Sequence, residues 1–196
     1  PQVKDYFADM RFKPMPRYGR GVVVDQEMLT PGTARRKISG DRVPKLIPLR
    51  NALRKDSPVG SQFVQPWVDF KGENIRLDDA LGSGFAILSW GIDPARLIDE
   101  ETLATLESTD TVLVCAVSPN QLAWAEGECA TTGTRVVSDT TGALKKWFDQ
   151  ASVGSVCIRP DRFVAAACLN GDLPRAITAV RTAASLFVPF SSPIPS

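Results

Sequence analysis

The sequence contains no histidine. That absence removes every Ser-His-Asp or Cys-His arrangement from the chain, and every metal site that depends on an imidazole. Cysteine is present but never grouped: Cys115, Cys129, Cys157 and Cys168 lie 14, 28 and 11 residues apart. With no Cys-x-x-Cys pair there is neither a zinc ribbon nor a dithiol redox centre, and the spacing outlines no disulfide framework. Free, mostly buried thiols fit a reducing cytoplasm, which is the expected location. No apolar run approaches the roughly 20 residues that cross a bilayer, so no membrane span is expected. Pro1–Tyr6 has neither signal-peptide nor transit-peptide character. It also lacks an initiator Met, from which we expect the chain to begin inside a longer polypeptide, processing being the alternative.

What is there is the composition of a globular protein: 196 residues, 43% hydrophobic and 23% charged. That length suits one domain with an appended arm. The net charge of +1 hides an asymmetry, because residues 1–60 carry 13 Lys/Arg against 6 Asp/Glu while residues 61–196 carry 10 against 16. The basic arm is suited to lie on the acidic body or on an acidic neighbour. Nucleic acid is a poorer match, since Arg35-Arg36-Lys37 is a short run without interleaved aromatics or a recognisable motif.

Proline divides the chain. Pro14, Pro16, Pro31, Pro44, Pro48 and Pro58 leave no room for a long helix or a central strand. Residues 1–62 are therefore expected to form an irregular arm, with a helical turn or two at Val3–Arg11 and an edge strand near Arg20–Val24. From Phe63 the pattern changes. Pro66–Phe70 and Ile75–Leu77 flank Lys71-Gly72-Glu73-Asn74 as a hairpin. Phe85–Trp90 is a continuous apolar run, the mark of a strand buried on both faces. Asp93 then offers an N-cap and Pro94 a first helical residue, predicting a helix to about Glu107 with Leu97, Leu103 and Leu106 inward. Further elements follow: a strand at Thr111–Val117, a short helix at Leu122–Glu126, a strand at Arg135–Val137 and a helix at Gly142–Gln150. Strands at Ser155–Arg159 and Arg162–Ala166 are joined at Pro160-Asp161. In the last helix Leu173, Ile177, Val180, Ala184 and Phe187 form one apolar stripe. Strands alternating with helices, then a hairpin and a closing helix, predict a mixed α/β sheet flanked by helices.

No catalytic constellation emerges, and no residue is assigned as catalytic, cofactor-binding or metal-ligating. Gly82-Ser83-Gly84 precedes a strand, whereas a nucleotide fingerprint follows one, so a tight turn is the better reading. Asp78-Asp79 and Asp99-Glu100-Glu101 fit solvated or dipole-stabilising carboxylates better than acid/base pairs. Cys115 and Cys157 are expected to be inert core thiols, with Cys168, near a strand end, partly exposed. Arg159-Pro160-Asp161-Arg162 is the sharpest local feature. A hairpin turn with charged tips accounts for it better than an anion or partner site.

The order from Phe85 resembles the thioredoxin fold, in which a Trp-Cys-x-x-Cys redox turn would occupy the place of Trp90-Gly91-Ile92-Asp93-Pro94. Residues 63–196 are thus expected to be a thioredoxin-like domain without its redox chemistry. Longer strings resemble the region after the flavin domain of 3-(3-hydroxyphenyl)propionate hydroxylases, relatives of phenol hydroxylase. These are Pro1–Phe7 through Arg11–Tyr18, Gln65–Val68, Leu77–Phe85 and Ile158–Ala165. The resemblance implies a parent enzyme that uses FAD and NAD(P)H to hydroxylate phenolic acids. It further implies a thioredoxin-like C-terminal domain linked to dimerisation. This chain lacks both the Gly-x-Gly-x-x-Gly and the Gly-Asp-Ala motif of the flavin domain, so no cofactor-binding or catalytic residue carries over. The expected partners are its own flavin domain and a second copy in a homodimer, with neither nucleic acid nor membrane. A free-standing, redox-inactive protein-interaction module is the alternative.

Overall fold

The computed structural model describes residues 23–24 and 57–187, with side chains through residue 184. The expected helical turn at Val3–Arg11, most of the arm and the tail beyond Phe187 lie outside the described residues.

Two tight devices open the domain. Strand β1 (Trp67–Phe70) turns back into β2 (Glu73–Arg76) through Lys71 and Gly72, whose φ values of 55° and 82° are both left-handed. A two-residue turn of this hand matches the twist of a hairpin, so the turn is shorter than the four residues expected. Leu77 does not extend the strand. It starts helix α1 (Leu77–Leu81), which buries Leu77, Ala80 and Leu81.

Helix and strand then alternate: β3 (Ala86–Trp90), a 3-10 turn (Pro94–Leu97), α2 (Glu100–Ser108), β4 (Val112–Val117), α3 (Leu122–Cys129), β5 (Arg135–Ser138) and α4 (Ala143–Ala151). The single helix expected from Asp93 to Glu107 is two. Ile98 adopts an extended backbone (φ −124°, ψ 155°) and Asp99 caps α2 by accepting from the Thr102 N–H. Two N-cap aspartates six residues apart each start their own helix. A closing hairpin, β6 (Ser155–Ile158) and β7 (Val164–Cys168), leads into α5 (Leu173–Phe187). The second hairpin strand starts two residues later than expected, because Arg162 is held in the turn at φ 66°.

Among the described residues one sheet of seven strands results, ordered β2-β1-β5-β4-β3-β6-β7. β3, β4 and β5 run parallel, and the two hairpins pair antiparallel on either side. The sheet separates two apolar layers by the period of two along each strand. Leu88, Val114, Val156 and Ile158 face Leu77, Leu81, Leu144 and Phe148 of α1 and α4. Ile87, Leu113 and Cys157 face Leu106 of α2 and Leu173, Ile177 and Val180 of α5. A register shift at Cys157/Ile158 inserts Ala165, so Ala165 and Ala166 both face the α5 side. The core residues expected from the sequence, Leu113, Val114, Ile158, Phe163 and Ile177, are all buried. This is a thioredoxin-like α/β fold, a βαβ unit followed by a ββα unit on one mixed sheet.

Chain before the domain also packs on it. Val59 is buried, Gly60 donates to the Val164 carbonyl at 2.9 Å, and the Val24 N–H donates to the Ala165 carbonyl at 2.7 Å. These contacts cover the outer edge of β7, which would otherwise be open to pairing with another strand. Val23 and Val24 are not part of a strand, and the rest of the expected Arg20–Val24 strand lies outside the described residues. No helix of the described residues is long and apolar enough to cross a membrane.

Candidate functional site

The turn after β3 is where thioredoxin chemistry would stand. Gly91 falls at the first cysteine position and Pro94 at the second. Gly91 has a φ of +70° and donates to the Ala116 carbonyl at 2.8 Å. A Cβ there would meet nothing within 4 Å, so what disfavours a cysteine is the left-handed backbone rather than lack of space. Pro94 has no N–H and supplies the fixed φ that begins the 3-10 turn.

Asp93, between them, is the buried polar centre of the site, only 4% exposed. Its Oδ1 accepts from the Ala95 N–H at 2.9 Å and from Thr134 Oγ1 at 2.6 Å, while Oδ2 accepts from Thr132 Oγ1 at 2.7 Å. Arg96 lies 4.0 Å from Oδ2 and also pairs with Glu128 at 2.7 Å. A buried carboxylate is tolerated because all of these donors point at it. The result is a latch joining the β3 exit to the β5 entry. Asp93 has the cap role expected of it, but no local pattern points to the two threonines, which lie 39 and 41 residues further on.

Beneath this turn, Cys115 of β4 and Cys129 of α3 pack together with Val117 and Ala125. Burial pushes the Cys115 thiol up to about 12, and burial followed by the Asp93 charge raises Cys129. Cys157 is also raised by burial, and Cys168 is pushed to about 12 by burial and then by Asp172. All four thiols are buried. Cys168 therefore corrects the expectation of partial exposure: α5 packs directly over the end of β7. Neutral, enclosed thiols are poor nucleophiles. At pH 8 the native chain should resist a thiol-specific label, and all four cysteines should react after denaturation. A folded-state pKa above the ordinary 9.0 favours the neutral thiol in the fold. That stability is present below pH ~9 and falls as pH climbs toward 12, which an alkaline series of denaturation midpoints would record.

The Arg159–Arg162 turn is a hairpin turn as expected, with Arg162 N–H donating to the Arg159 carbonyl at 2.9 Å. Arg159 and Asp161 form an ion pair at its tip, at 2.7 Å. Arg162 is different. Its side chain is 14% exposed, pairs with Asp78 and donates to the Gly82 carbonyl, fastening the hairpin to α1. Asp78 lies in the first turn of α1 as expected, its side chain 46% exposed, and it also anchors a partner 84 residues away. Asp99 is likewise a cap, its carboxyl held below the usual range by the Thr102 N–H. Arg162 Nη1 and the Gln65 carboxamide are buried with no hydrogen-bond partner among the described residues.

The Gly82–Gly84 turn does not form a cradle for a dinucleotide. It lies ahead of β3, and a Cβ at Gly84 would collide with the Asp110 carbonyl, so its glycine serves close packing against backbone. Among the described residues no group of three His, Cys, Asp or Glu side chains is placed to hold a metal ion.

Comparison with known proteins places this geometry. The 3-(3-hydroxy-phenyl)propionate/3-hydroxycinnamic acid hydroxylase of Paraburkholderia xenovorans is 37% identical over 187 residues, covering 86% of this chain and 30% of that protein. Its namesake from Mycolicibacterium vanbaalenii is 35% identical over 181 residues, covering 92% of this chain and 27% of that protein. The chain thus spans less than a third of the curated relatives it matches. Among solved structures, the flavin-dependent monooxygenase PieE, in complex with FAD and substrate, shares the fold with a TM-score of 0.50 at 16% identity. That likeness covers 86% of this chain and 25% of PieE. Residues 60–183, which hold every strand of the sheet and most of α5, match the HcaD C-terminal domain, and the chain belongs to that family.

Proposed function

We propose that this chain is the C-terminal part of a FAD- and NAD(P)H-dependent hydroxylase of phenolic acids such as 3-(3-hydroxyphenyl)propionate. In this reading the part itself is non-catalytic and serves assembly and stability. The observation that carries the proposal is the match at 34–37% identity to proteins named for that activity, of which this chain covers 26–30%. The chemistry of the β3 turn supports the non-catalytic half: a left-handed glycine, a proline and a carboxylate already committed to three donors. What such a domain contributes is surface. Trp67 and Trp124, 44% and 54% exposed, are of the residue type that most often anchors interfaces.

The partners in this reading are the chain's own flavin domain and a second copy in a cytoplasmic homodimer, the commonest symmetric assembly. Docking of the basic arm on the acidic body weakens with salt, because exposed charges are screened over about 10 Å at 0.1 M. The test compares the full-length enzyme with one truncated before residue 57. Truncation is expected to lower the number of subunits in the assembly, the melting temperature and the hydroxylation rate. If all three are unchanged, the contact role is wrong. Sequencing upstream of Pro1 separates the alternatives: an in-frame flavin domain supports this reading, and a start codon there favours a free-standing interaction module.

A further inference from the structure

A cleft of about 530 Å³ opens between the C-terminal end of α2, the start of β3 and the middle of α5. Its volume lies inside the ~300–1,000 Å³ range of small-molecule sites. Sheet and helix form its two walls, Phe85 and Ile87 on one side, Ile177 and Val180 on the other, with Leu106 closing one end. The floor includes the Cys157 thiol, which burial keeps protonated, so the interior carries no charge.

The rim is where specificity would arise. Thr109 Oγ1 donates to the Leu106 carbonyl at 3.0 Å and Thr178 Oγ1 to the Pro174 carbonyl at 2.9 Å, so these hydroxyls have spent their protons on their own helices. Arg181 has not been spent in the same way. It is exposed, it lines the cleft and it forms no ion pair among the described residues. No carboxylate belongs to the lining. An apolar slot with one cation at its mouth is complementary to an amphiphile with one negative end.

We propose that this cleft binds a small apolar monocarboxylate, its hydrocarbon body between β3 and α5 and its carboxylate on Arg181. The site goes beyond the assembly role and does not depend on it.

The test uses the 196-residue chain, ¹⁵N-labelled and titrated with 3-phenylpropionate, and separately with the uncharged 3-phenylpropan-1-ol. Saturable amide shifts at Leu106, Ile177 and Val180 are expected with both probes, in the high-micromolar to millimolar range for ligands so small. Arg181→Gln should weaken the acid about fivefold and leave the alcohol unchanged, because only the acid uses the guanidinium. Thr178→Trp, at an exposed position on the rim, should block both. Absence of saturable shifts in the wild type overturns the proposal, as does an Arg181→Gln protein that binds the acid as tightly as before. Should Thr178→Trp fail to fold, the acid-against-alcohol comparison in Arg181→Gln still decides.

Discussion

Ile158→Ala is expected to destabilise the domain by about 3–4 kcal/mol. Ile158 is fully buried, pairs with Ala86 on β3 and Val164 on β7, and packs in the layer under α1 and α4. Three methylene-sized groups would vanish from a position fixed by strands on both sides, so the cavity has little freedom to collapse. The melting temperature should fall by roughly 10 °C in a domain of this size. The urea midpoint should fall with an unchanged slope, since native and unfolded surfaces stay the same. Leu113→Ala should cost less, because Leu113 sits 9% exposed on the opposite face. A variant at 158 that melts within a degree or two of wild type would mean that this layer is not packed as described.

The contrast between these positions and the sites shows what the sequence makes legible. Ile158, Leu113 and the α5 stripe could be read directly, because burial on a strand or helix imposes a local period on neighbouring residues. The βαβ and ββα order followed from the same signal. Helix α1 was missed because its five residues are too few for a period to declare itself. The break at Ile98 was missed because Asp93-Pro94 is a strong start signal that masks the second start at Asp99. The sites fail for another reason. Asp93 meets Thr132 and Thr134, and Arg162 meets Asp78, only after the chain has closed loops of 39, 41 and 84 residues. No local pattern encodes those meetings. Cys168 misled in the same way, since a strand end looks exposed until α5 is laid over it. The family resemblance, by contrast, rested on short strings such as Leu77–Phe85 and Ile158–Ala165. The structure joins these two strings through the Arg162–Asp78 pair.

Asp93→Ala should be the most damaging polar substitution in the domain, at about 3 kcal/mol. It removes one acceptor group and leaves three donors behind: the Ala95 N–H and the hydroxyls of Thr132 and Thr134. An unsatisfied buried donor costs about 1–3 kcal/mol, and loss of an N-cap about 1. The costs do not simply add, because Thr132 also reaches the Cys129 carbonyl and Thr134 Oγ1, each at 3.2 Å. Asp93→Asn separates geometry from charge. Its Oδ1 keeps the Ala95 and Thr134 bonds, and its amide can donate to the Thr132 oxygen, so it should lose only about 1 kcal/mol. The diagnostic result is the order wild type, Asn, Ala in denaturation midpoint. Local opening should follow it, with faster hydrogen exchange at Ala95 and at the β5 entry while the β6–β7 hairpin stays protected. If Asn and Ala prove equally harmful, the negative charge beside Arg96 outweighs the hydrogen bonds. If neither variant is destabilised, Asp93 does not latch the turn, and its burial must serve something other than the fold.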